Sequence, residues 1–596
     1  MEVDASMARV VRTAWLLFVM GLVSCTTGFA QSRKSDEQVK VDKVFSDFQK
    51  AGSPGCAVGV FRDGRVIYTK GYGLASVELN SPISPQTVFD IGSTSKQFTA
   101  SSILLLEKEG KLSVNDDVRK YIPELPDYSK NGGGKITILN LLNHTSGLRD
   151  YLELLVFAGT NVDSVTTDED ALALVTRQRA LNFAPGTEWA YSNTGYFLLS
   201  VIVKRVSHST LREFASTNIF QPLGMTHTTF RDDHTMLIPH RALAYDPAEK
   251  GGYKLDVSYF EQLGDGAVHT SVEDLAKWDE NFYSGQVGGK SFLEELQTPG
   301  ELSNGKKLDY AKGLMIEESR GLHVVRHGGA WGGYRAELLR FPDQHFSVAC
   351  LCNLANANPE KRADDVAEIY LSKLMKPKET PHPAAANEAS SKEVALSPAE
   401  LGAVAGMYRD EKSHNVARVS EKDGKPQIEI YGRTFGLRAL SPTEFVLKNF
   451  PVEAKATFEL GSDHAQGVMK LTGDEFIKAD YQRVTEASPT NEELASYAGD
   501  YSSDELGVVY RLRVADGKLE LVGIAEDTGI PHTGMAMPKI LRPTILNEFQ
   551  ISDEGITIDF SKKDASDASG FELNAGRIRG ITFVRTANLG DSAKRF

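Results

Sequence analysis

The chain has 596 residues, too many for one hydrophobic core, and its 41% hydrophobic and 24% charged residues are ordinary for globular proteins. Its formal net charge is -14, and it contains no clustered run of Lys and Arg, which excludes a protein that binds the phosphate backbone of nucleic acids. We therefore expect several folded domains and no nucleic-acid partner.

The first 30 residues have the layout of a secretory signal sequence. Arg9 and Arg12 precede the apolar stretch "AWLLFVMGLVSC", and small residues follow it. Two processing sites fit this layout: cleavage after Ala30 in "GFA", or a lipidated Cys25 in "LVSC", which resembles a bacterial lipoprotein box. Both predict an exported bacterial protein, either periplasmic or held at a membrane only by a lipid anchor at Cys25.

Residues 31–375 are predicted to form one α+β domain. The stretch "CAVGVFRDGRVIYTKGYG" has β-rich segments on either side of Asp63 and Gly64, which predicts a hairpin with a type I′ turn. The stretch "TSKQFTASSILLLEKEG" predicts a helix that Gly110 ends. Strand patterns return in "HVVRHGGAWGGYRAELLRFPDQHFSVACLCNL", so we expect one sheet whose strands come from both ends of the domain.

The cysteines predict no disulfide framework. A mature chain certainly keeps only Cys56, Cys350 and Cys352, too few for the network of a small secreted domain. Cys350 and Cys352 share one face of the apolar stretch "FSVACLCNL" and are predicted to be buried strand residues.

The C-terminal part of the chain contains a linker and an internal repeat. Residues 376–396 are rich in Pro, Ala and charge, which predicts a linker. "ELGAVAGMY", ending at Tyr408, returns 93 residues later as "ELASYAGDY", ending at Tyr501. The repeats, residues 397–485 and 486–590, are predicted to be small antiparallel β-barrels or sandwiches that serve packing or spacing. Glu444 and Glu548 are 104 residues apart, which indicates an insertion in the second copy, placed at residues 524–539.

Ser93 and Lys96 lie three residues apart at the start of the predicted helix. On a helix this spacing puts the hydroxyl and the amine on one face, one turn apart. A serine hydroxyl must give its proton to an adjacent base as it attacks, and a lysine whose pKa is lowered can serve as that base. The backbone N–H groups at the helix start favour a developing oxyanion. Ser-x-x-Lys alone is weak evidence, because the same spacing also arises by coincidence on protein surfaces.

Two further motifs strengthen this interpretation. In "PGTEWAYSNTGY", Tyr191 and Asn193 point the same way if the segment is extended, so a phenol that an ammonium holds partly ionised and an amide face one cleft. In "RHGGAWGGY", His327 precedes Gly328 and Gly329, whose missing side chains let a substrate approach a strand closely. The N–H of Ala330 is then the second oxyanion donor beside that of Ser93.

In this order the three motifs resemble those of the serine β-lactamase and penicillin-binding-protein superfamily, on its class C and D-peptidase side. The resemblance covers roughly residues 41–374, and the repeats resemble the lipocalin-like barrels of some family peptidases. It implies an antiparallel sheet flanked by helices, with the active serine at the start of a central helix. It also implies an acyl-enzyme on Ser93, with Lys96 and Tyr191 moving its proton. Asn193, His327, Gly328 and Gly329 would position the substrate.

One departure from the family pattern shifts the predicted substrate. Many β-lactamases carry Lys-Thr-Gly where this chain has His327, and a mostly neutral imidazole is a weaker anchor for a substrate carboxylate. We therefore predict a peptidase or amidase for small peptides that contain D-amino acids, or an esterase. The alternatives are a β-lactamase and, from another class, a catalytically silent penicillin-binding sensor or cell-wall-binding protein. A helix-aligned nucleophile and base argue against the silent protein.

The remaining sequence features yield weaker predictions. His144 in "LLNHTSGL" is interpreted as structural, and His532 in "PHTG" ranks below His327 because no strand follows it. The insertion at residues 524–539 is predicted to fold over the catalytic mouth and to limit substrate size. No metal, nucleotide or flavin site is predicted, and the sequence does not indicate an oligomeric state.

Overall fold

The computed structural model describes residues 35–131, 133–161, 163–377, 394–450, 454–461, 466–473, 478–524, 538–551, 555–561 and 570–586. The predicted signal sequence with Cys25, most of the predicted linker, His532 and residues 525–537 of the insertion lie outside these residues. Among the described helices, none is long and apolar enough to cross a membrane.

The N-terminal domain (residues 35–377) alternates strands and helices. Its strands are β1 (Cys56–Arg62), β2 (Arg65–Tyr72), β3 (Leu74–Ser76), β4 (Ser81–Pro82), β5 (Phe89–Asp90), β6 (Thr229–Phe230), β7 (Tyr245–Pro247), β8 (Tyr253–Leu255), β9 (Val268–Thr270), β10 (Met315–Ser319), β11 (Leu322–Trp331), β12 (Tyr334–Phe341) and β13 (Phe346–Cys352). Its α-helices are α1 (Asp36–Val44), α2 (Lys96–Lys108), α3 (Ile138–Leu142), α4 (Tyr151–Phe157), α5 (Asp168–Thr176), α6 (Asn193–Ser207), α7 (Leu211–Ala215), α8 (Val272–Ser284), α9 (Lys290–Gln297) and α10 (Pro359–Leu371). A 3-10 turn at Gly92–Ser95 leads into α2.

The main sheet is antiparallel, in the order β10–β11–β12–β13–β1–β2. The two ends of the domain meet where β13 pairs with β1, which confirms the prediction of one sheet built from distant segments. At the β1–β2 turn, Asp63 and Gly64 both have positive φ (53° and 69°), as the predicted type I′ turn requires. Alternate β1 side chains enter two cores: Ala57 and Phe61 face one, and Val58 and Val60 face the other.

Helices cover both faces of this sheet. Helices α1 and α10 pack on one face and α8 on the other, where the larger core also holds α2 and α6. Helix α2 is buried on most of its circumference, so its polar side chains need internal partners. The Trp278 indole N–H donates to Gln97 Oε1 (2.6 Å), and the Thr99 hydroxyl donates to the Gly264 carbonyl (2.8 Å). These contacts hold the helix that follows Ser93 rigidly in place.

Among the described residues one disulfide bond is formed, which the cysteine count did not predict. Cys56 on β1 and Cys352 on β13 are bonded and lie 296 residues apart in sequence. The antiparallel register places them directly opposite each other, a relation that only the folded sheet creates. Cys350 is a buried free thiol, and both Cys350 and Cys352 are buried strand residues as predicted.

The repeats are two closed antiparallel barrels, which confirms the barrel rather than the sandwich prediction. Barrel 1 begins with α11 (Pro398–Val404) and contains β14 (Gly406–Arg409), β15 (Val416–Lys422), β16 (Lys425–Ile430), β17 (Arg433–Ser441), β18 (Glu444–Leu447), β19 (Lys455–Leu460), β20 (Gly467–Thr472) and β21 (Ala479–Val484). Barrel 2 begins with α12 (Asn491–Tyr497) and contains β22 (Gly499–Ser503), β23 (Val508–Ala515), β24 (Lys518–Ile524), β25 (Lys539–Pro543), β26 (Glu548–Ile551), β27 (Ile556–Asp559), β28 (Gly570–Ala575) and β29 (Ile578–Thr586).

The two barrels repeat their local contacts at the predicted spacing. Ser397 and Thr490 are 93 residues apart, and each caps the helix that opens its barrel with a capping box. The hydroxyls of Tyr408 and Tyr501 donate to the carbonyls of Val404 and Tyr497 (2.9 and 2.8 Å). The predicted insertion lies between β24 and β25, whereas β16 and β17 are joined directly by a short turn.

Barrel 2 docks on the N-terminal domain through a continuous apolar core and a buried ion pair. One hydrophobic cluster runs from α2 and α6 into the interior of barrel 2. Arg149 Nη1 donates to Glu505 Oε1 at 2.7 Å, and the two side chains are only 1% and 4% exposed. The other nitrogens of Arg149 donate to the carbonyls of Arg579 (3.0 Å) and Gly580 (2.8 Å). Breaking this pair would therefore leave a buried guanidinium with no counter-charge.

We expect Glu505→Gln to weaken this docking by about 3 kcal/mol, because removing one partner of a buried ion pair leaves the other charge uncompensated. The first transition in urea unfolding of the full chain should move to a lower urea concentration. Asp504→Asn is the matched control, since Asp504 pairs with Arg179 at 2.8 Å but both side chains are at least 70% exposed. Equal shifts in the two variants would contradict the claim that the buried Arg149–Glu505 pair stabilises the docking of barrel 2.

Candidate active site

Ser93 lies in the 3-10 turn between β5 and α2, pressed against β11. The turn can approach the strand because Gly92 and Gly329 have no side chains: a Cβ on Gly329 would lie 1.9 Å from the Ile91 carbonyl oxygen, and one on Gly92 would lie 2.6 Å from the Ala330 nitrogen. The Thr94 hydroxyl donates to the His327 carbonyl at 3.0 Å and locks the contact. The Ala330 nitrogen therefore lies close to the residue that precedes Ser93, and its role as the second oxyanion donor stays a prediction.

Lys96, the first residue of α2, is fully buried, and its amine is held by three oxygens. Its Nζ lies 3.1 Å from Ser93 Oγ, 2.9 Å from Asn193 Oδ1 and 2.6 Å from the Asp265 carbonyl oxygen. An amide oxygen and a carbonyl oxygen are acceptors only. A neutral amine therefore donates its two hydrogens to Asn193 and Asp265, and its lone pair is directed at Ser93.

The electrostatics of the site favour that neutral amine. Burial lowers the pKa of Lys96 well below its usual range, although the carboxylates of Asp265 and Asp150 oppose the shift. The guanidinium of Arg577 lowers the pKa of Lys96 further. Burial in turn raises the pKa of the Asp265 carboxyl. Lys96 is thus able to accept a proton near neutral pH, which an ordinary exposed lysine cannot do.

Tyr191 and Asn193 reach the same site by a different backbone path from the predicted one. The chain is extended at Ser192 (φ -138°, ψ 122°), but Asn193 already begins α6, so the segment is not one extended run. The Tyr191 ring centroid lies 4.8 Å from Lys96 Nζ, and its hydroxyl is hydrogen-bonded to Ser93. Burial raises the pKa of Tyr191, so the phenol is neutral, and the expectation of a partly ionised phenol is wrong.

His327 lies on β11 next to the catalytic cluster and is held neutral. Burial, with the nearby amine of Lys96, lowers the pKa of His327 to about 4. Its Nδ1 lies 2.6 Å from the Gly328 carbonyl, which can only accept, so Nδ1 carries the hydrogen. Nε2, 3.2 Å from the Tyr310 hydroxyl, is then the acceptor. His327 therefore brings no fixed positive charge to the site.

His144 packs directly against the tyrosine of the site. Its ring lies 4.2 Å from that of Tyr191, and its Nδ1 accepts a hydrogen bond from the Ser192 N–H (3.2 Å). Its Nε2 is buried without a hydrogen-bond partner. These contacts orient the Tyr191 ring, which agrees with the structural role expected for His144.

Sequence reasoning missed three charged residues of this site. Asp150 is fully buried, and its carboxylate accepts from the Asn193 N–H (2.7 Å) and from Arg577 Nη1 (3.0 Å). Asp265 binds Lys96 through its carbonyl, and its carboxyl accepts from the Tyr151 hydroxyl (3.2 Å). Arg577 comes from barrel 2. The stretches "GLRD" and "LGDGAV" lie outside the three motifs, so neither acid was singled out as a site residue.

A cavity of about 1120 Å³ opens onto these groups. Its walls include Ser93, Tyr191, Asn193 and the β11 residues 326–331, together with Arg577. Carboxylates outnumber guanidiniums among its charged lining residues, which are Asp90, Asp265, Asp309, Glu317, Glu318, Glu337, Glu360, Arg231, Arg326, Arg335 and Arg577. The arrangement suits nucleophilic attack by Ser93 on a small molecule with an electrophilic carbonyl.

Groups of side chains with the atoms to ligate a metal lie elsewhere in the described part of the chain. His234 and Glu261 bind each other (2.7 Å) near Asp233, and Glu548 near His414 and Asp559 is already paired with the Arg409 guanidinium (2.6 Å). The third group contains the two cysteines of the disulfide. None of the residues in these groups lines the cavity beside Ser93.

Comparison with known proteins identifies the N-terminal domain. The family model described as Beta-lactamase matches residues 41–371. Penicillin-binding protein 4* of Bacillus subtilis (strain 168) is 29% identical over 422 residues, which are 68% of this chain and 89% of that protein. A D-aminopeptidase of Gluconobacter oxydans (strain 621H) is 25% identical over 517 residues, 84% of this chain and 91% of that protein.

A solved structure extends the likeness in fold. An octameric penicillin-binding protein homologue from Pyrococcus abyssi superimposes with a TM-score of 0.52 at 24% identity, covering 75% of this chain and 99% of that one. The comparisons confirm the family that the three motifs predicted and the α+β class that it implied.

We expect Lys96→Met to lower the rate of Ser93 acylation by about 10²- to 10⁴-fold, the usual contribution of a general base. The wild-type rate should fall as pH drops through the lowered pKa of Lys96, because protonation removes the lone pair that receives the serine proton. Labelling with a fluorophosphonate probe across pH measures both effects. Lys108→Met, on the exposed last turn of the same helix, should leave the profile unchanged. Full labelling of Lys96→Met would contradict this role.

A second prediction concerns the contact between β11 and the serine turn. Gly329→Ala should reduce acylation by about 10²-fold or more, because the new Cβ would force the Ile91 carbonyl and the strand apart and displace the oxyanion donors. Gly328→Ala should cost much less, since its Cβ would meet a side-chain oxygen of Glu337 at 3.1 Å and the Ala336 carbonyl at an ordinary contact distance of 3.7 Å. The ratio of acylation rates of the two variants tests the claim, and equal losses would refute it.

Proposed function

The chain belongs to the Beta-lactamase family, and from this premise we propose that it is a serine hydrolase that forms an acyl-enzyme on Ser93. Its proposed substrates are small amides or peptides that contain D-amino acids, or esters. The observation that carries the proposal is the buried Lys96 amine 3.1 Å from Ser93 Oγ. The same amine also donates to Asn193 Oδ1 and to the Asp265 carbonyl, which leaves its lone pair for the serine proton. A protein that only binds its ligand has no use for this arrangement.

The geometry supports an ordered transfer of one proton. As Ser93 Oγ attacks the substrate carbonyl, its proton moves to Lys96 Nζ, and the N–H groups of Ser93 and Ala330 hold the tetrahedral oxyanion. The neutral Tyr191 hydroxyl can donate a proton to the leaving amine or alkoxide and take one from Lys96 in return. The carbon–nitrogen or carbon–oxygen bond then breaks. Water, deprotonated by the same groups, releases the acyl product and restores Ser93.

Two observations support a D-aminoacyl amide over a β-lactam. The neutral His327 offers no fixed cation for a substrate carboxylate, and the excess of carboxylates in the cavity wall favours a substrate that carries an ammonium group. The similarity to a D-aminopeptidase over 84% of the chain agrees with this choice.

Reaction with penicillin is a second candidate function. The similarity to Penicillin-binding protein 4* over 89% of that protein favours it. Because the site lacks a lysine at the position of His327, we propose that penicillin acylates Ser93 slowly and that the chain is a poor β-lactamase. A fluorescent penicillin tests this directly.

We expect hydrolysis of D-aminoacyl amides to exceed that of their L-isomers by at least tenfold and to fall when the α-amine is acetylated, because acetylation removes the positive charge. The panel comprises D- and L-aminoacyl nitroanilides, an N-acetylated D-analogue, nitrophenyl esters and a chromogenic cephalosporin. Ser93→Ala is the control and should lose all these activities. A cephalosporin turned over faster than every amide would instead support the β-lactamase.

A further inference from the structure

Barrel 2 reaches into the wall of the catalytic cavity through its last hairpin turn. The turn between β28 and β29 brings Gly576 so close to α4 that a Cβ there would lie 2.8 Å from Glu153 Oε1. The next residue, Arg577, donates from its backbone N–H to Glu153 Oε2 (2.8 Å) and lines the cavity. Its guanidinium carbon lies 5.6 Å from the Tyr191 ring centroid.

An unbroken series of hydrogen bonds links this arginine to the nucleophile. Arg577 Nη1 donates to Asp150 Oδ2 (3.0 Å), which also accepts from the Asn193 N–H (2.7 Å). Asn193 Oδ1 accepts from Lys96 Nζ (2.9 Å), which lies 3.1 Å from Ser93 Oγ. The same carboxylate thus holds both the barrel and the asparagine that orients the base.

We propose that Arg577 is a positioning residue of the active site, supplied by barrel 2, which neutralises the buried Asp150 carboxylate and so keeps the Lys96 amine available as a base. The inference rests on the proposed acylation of Ser93 and adds to it a catalytic requirement for the docked barrel. The barrel is then part of the catalytic unit, not the packing or spacer domain that the sequence predicted.

The argument depends on what a buried carboxylate does when it loses its counter-charge. The Asp150 side chain is 1% exposed and keeps only backbone N–H donors, from Leu152 and Asn193, once Arg577 is removed. An unbalanced negative charge near a buried amine favours its protonated form. The loss of Arg577 should therefore raise the pKa of Lys96 and remove the base at neutral pH.

The other charged and titratable groups around Lys96 do not replace Arg577. Asp265, from the loop before β9, adds negative charge, and the neutral side chains nearby are Tyr191, Tyr196, His144 and His327. Arg577 is thus the cation that acts on the amine of Lys96 from barrel 2, and Glu153 beside it is a further acid that it compensates.

The test compares pH profiles of Ser93 acylation by a fluorophosphonate probe in the full chain. We expect Arg577→Gln to move the acidic limb to higher pH by roughly one unit, about a tenfold rate loss on that limb, with a near-normal rate on the alkaline plateau. Arg577→Lys keeps a cation at this position, so its acidic limb should lie close to that of the wild type. The double variant Arg577→Gln with Asp150→Asn should also move the limb back, because it removes the unbalanced charge.

The control on the same hairpin is Arg579→Gln, since Arg579 contacts Glu188 (3.4 Å) and does not touch the hydrogen-bonded series. Its acidic limb should stay in place. An Arg577→Gln profile lowered equally at all pH values, or a double variant without rescue, would overturn the inference. Absence of labelling in the wild type would overturn the proposed function, whereas labelling without amide hydrolysis would overturn only the substrate class.

Discussion

The burial of one amine against one hydroxyl is the constraint on which the rest of this site depends. Lys96 is solvent-inaccessible, and its two engaged acceptors, the Asn193 amide and the Asp265 carbonyl, direct its lone pair at Ser93. Desolvation favours the neutral amine, and the acids around it favour the charged one. The balance between these opposing effects decides whether the serine has a base near neutral pH.

The sheet places the other half of the site. Strand β11 lies against the serine turn because Gly329 and Gly92 remove the side chains that would separate the two backbones. The strand itself is held by β12, β13 and β1, and β13 and β1 are joined by the Cys56–Cys352 disulfide. The position of Ala330 relative to Ser93 thus depends on two contacts between segments more than 200 residues apart, the serine turn against β11 and β1 against β13. A site built in this way needs the complete domain before any of its parts can act.

The two barrels share a fold but differ in how they pack against the N-terminal domain. Barrel 1 has its own hydrophobic core, whereas barrel 2 continues the core of the N-terminal domain and exchanges the Arg149–Glu505 ion pair with it. The helix caps and tyrosine contacts of the two barrels repeat at a constant spacing, so the barrels differ mainly in the loops between their strands. The two barrels therefore repeat one scaffold, and a hairpin of the second places the Arg577 guanidinium at the cavity wall.

The sequence by itself determined the features that depend on neighbouring residues. The one-turn spacing of Ser93 and Lys96 and the hairpin turn at Asp63 follow from local geometry, and the 93-residue repeat follows from the similarity of short stretches, so all three could be predicted before any contact was known. Tertiary structure alone decided the pairing of Cys56 with Cys352, the raised pKa of Tyr191 and the arrival of Asp150, Asp265 and Arg577 at the amine. These depend on which distant segments meet and on how much water they exclude, and neither long-range approach nor desolvation leaves a pattern in a short stretch of sequence.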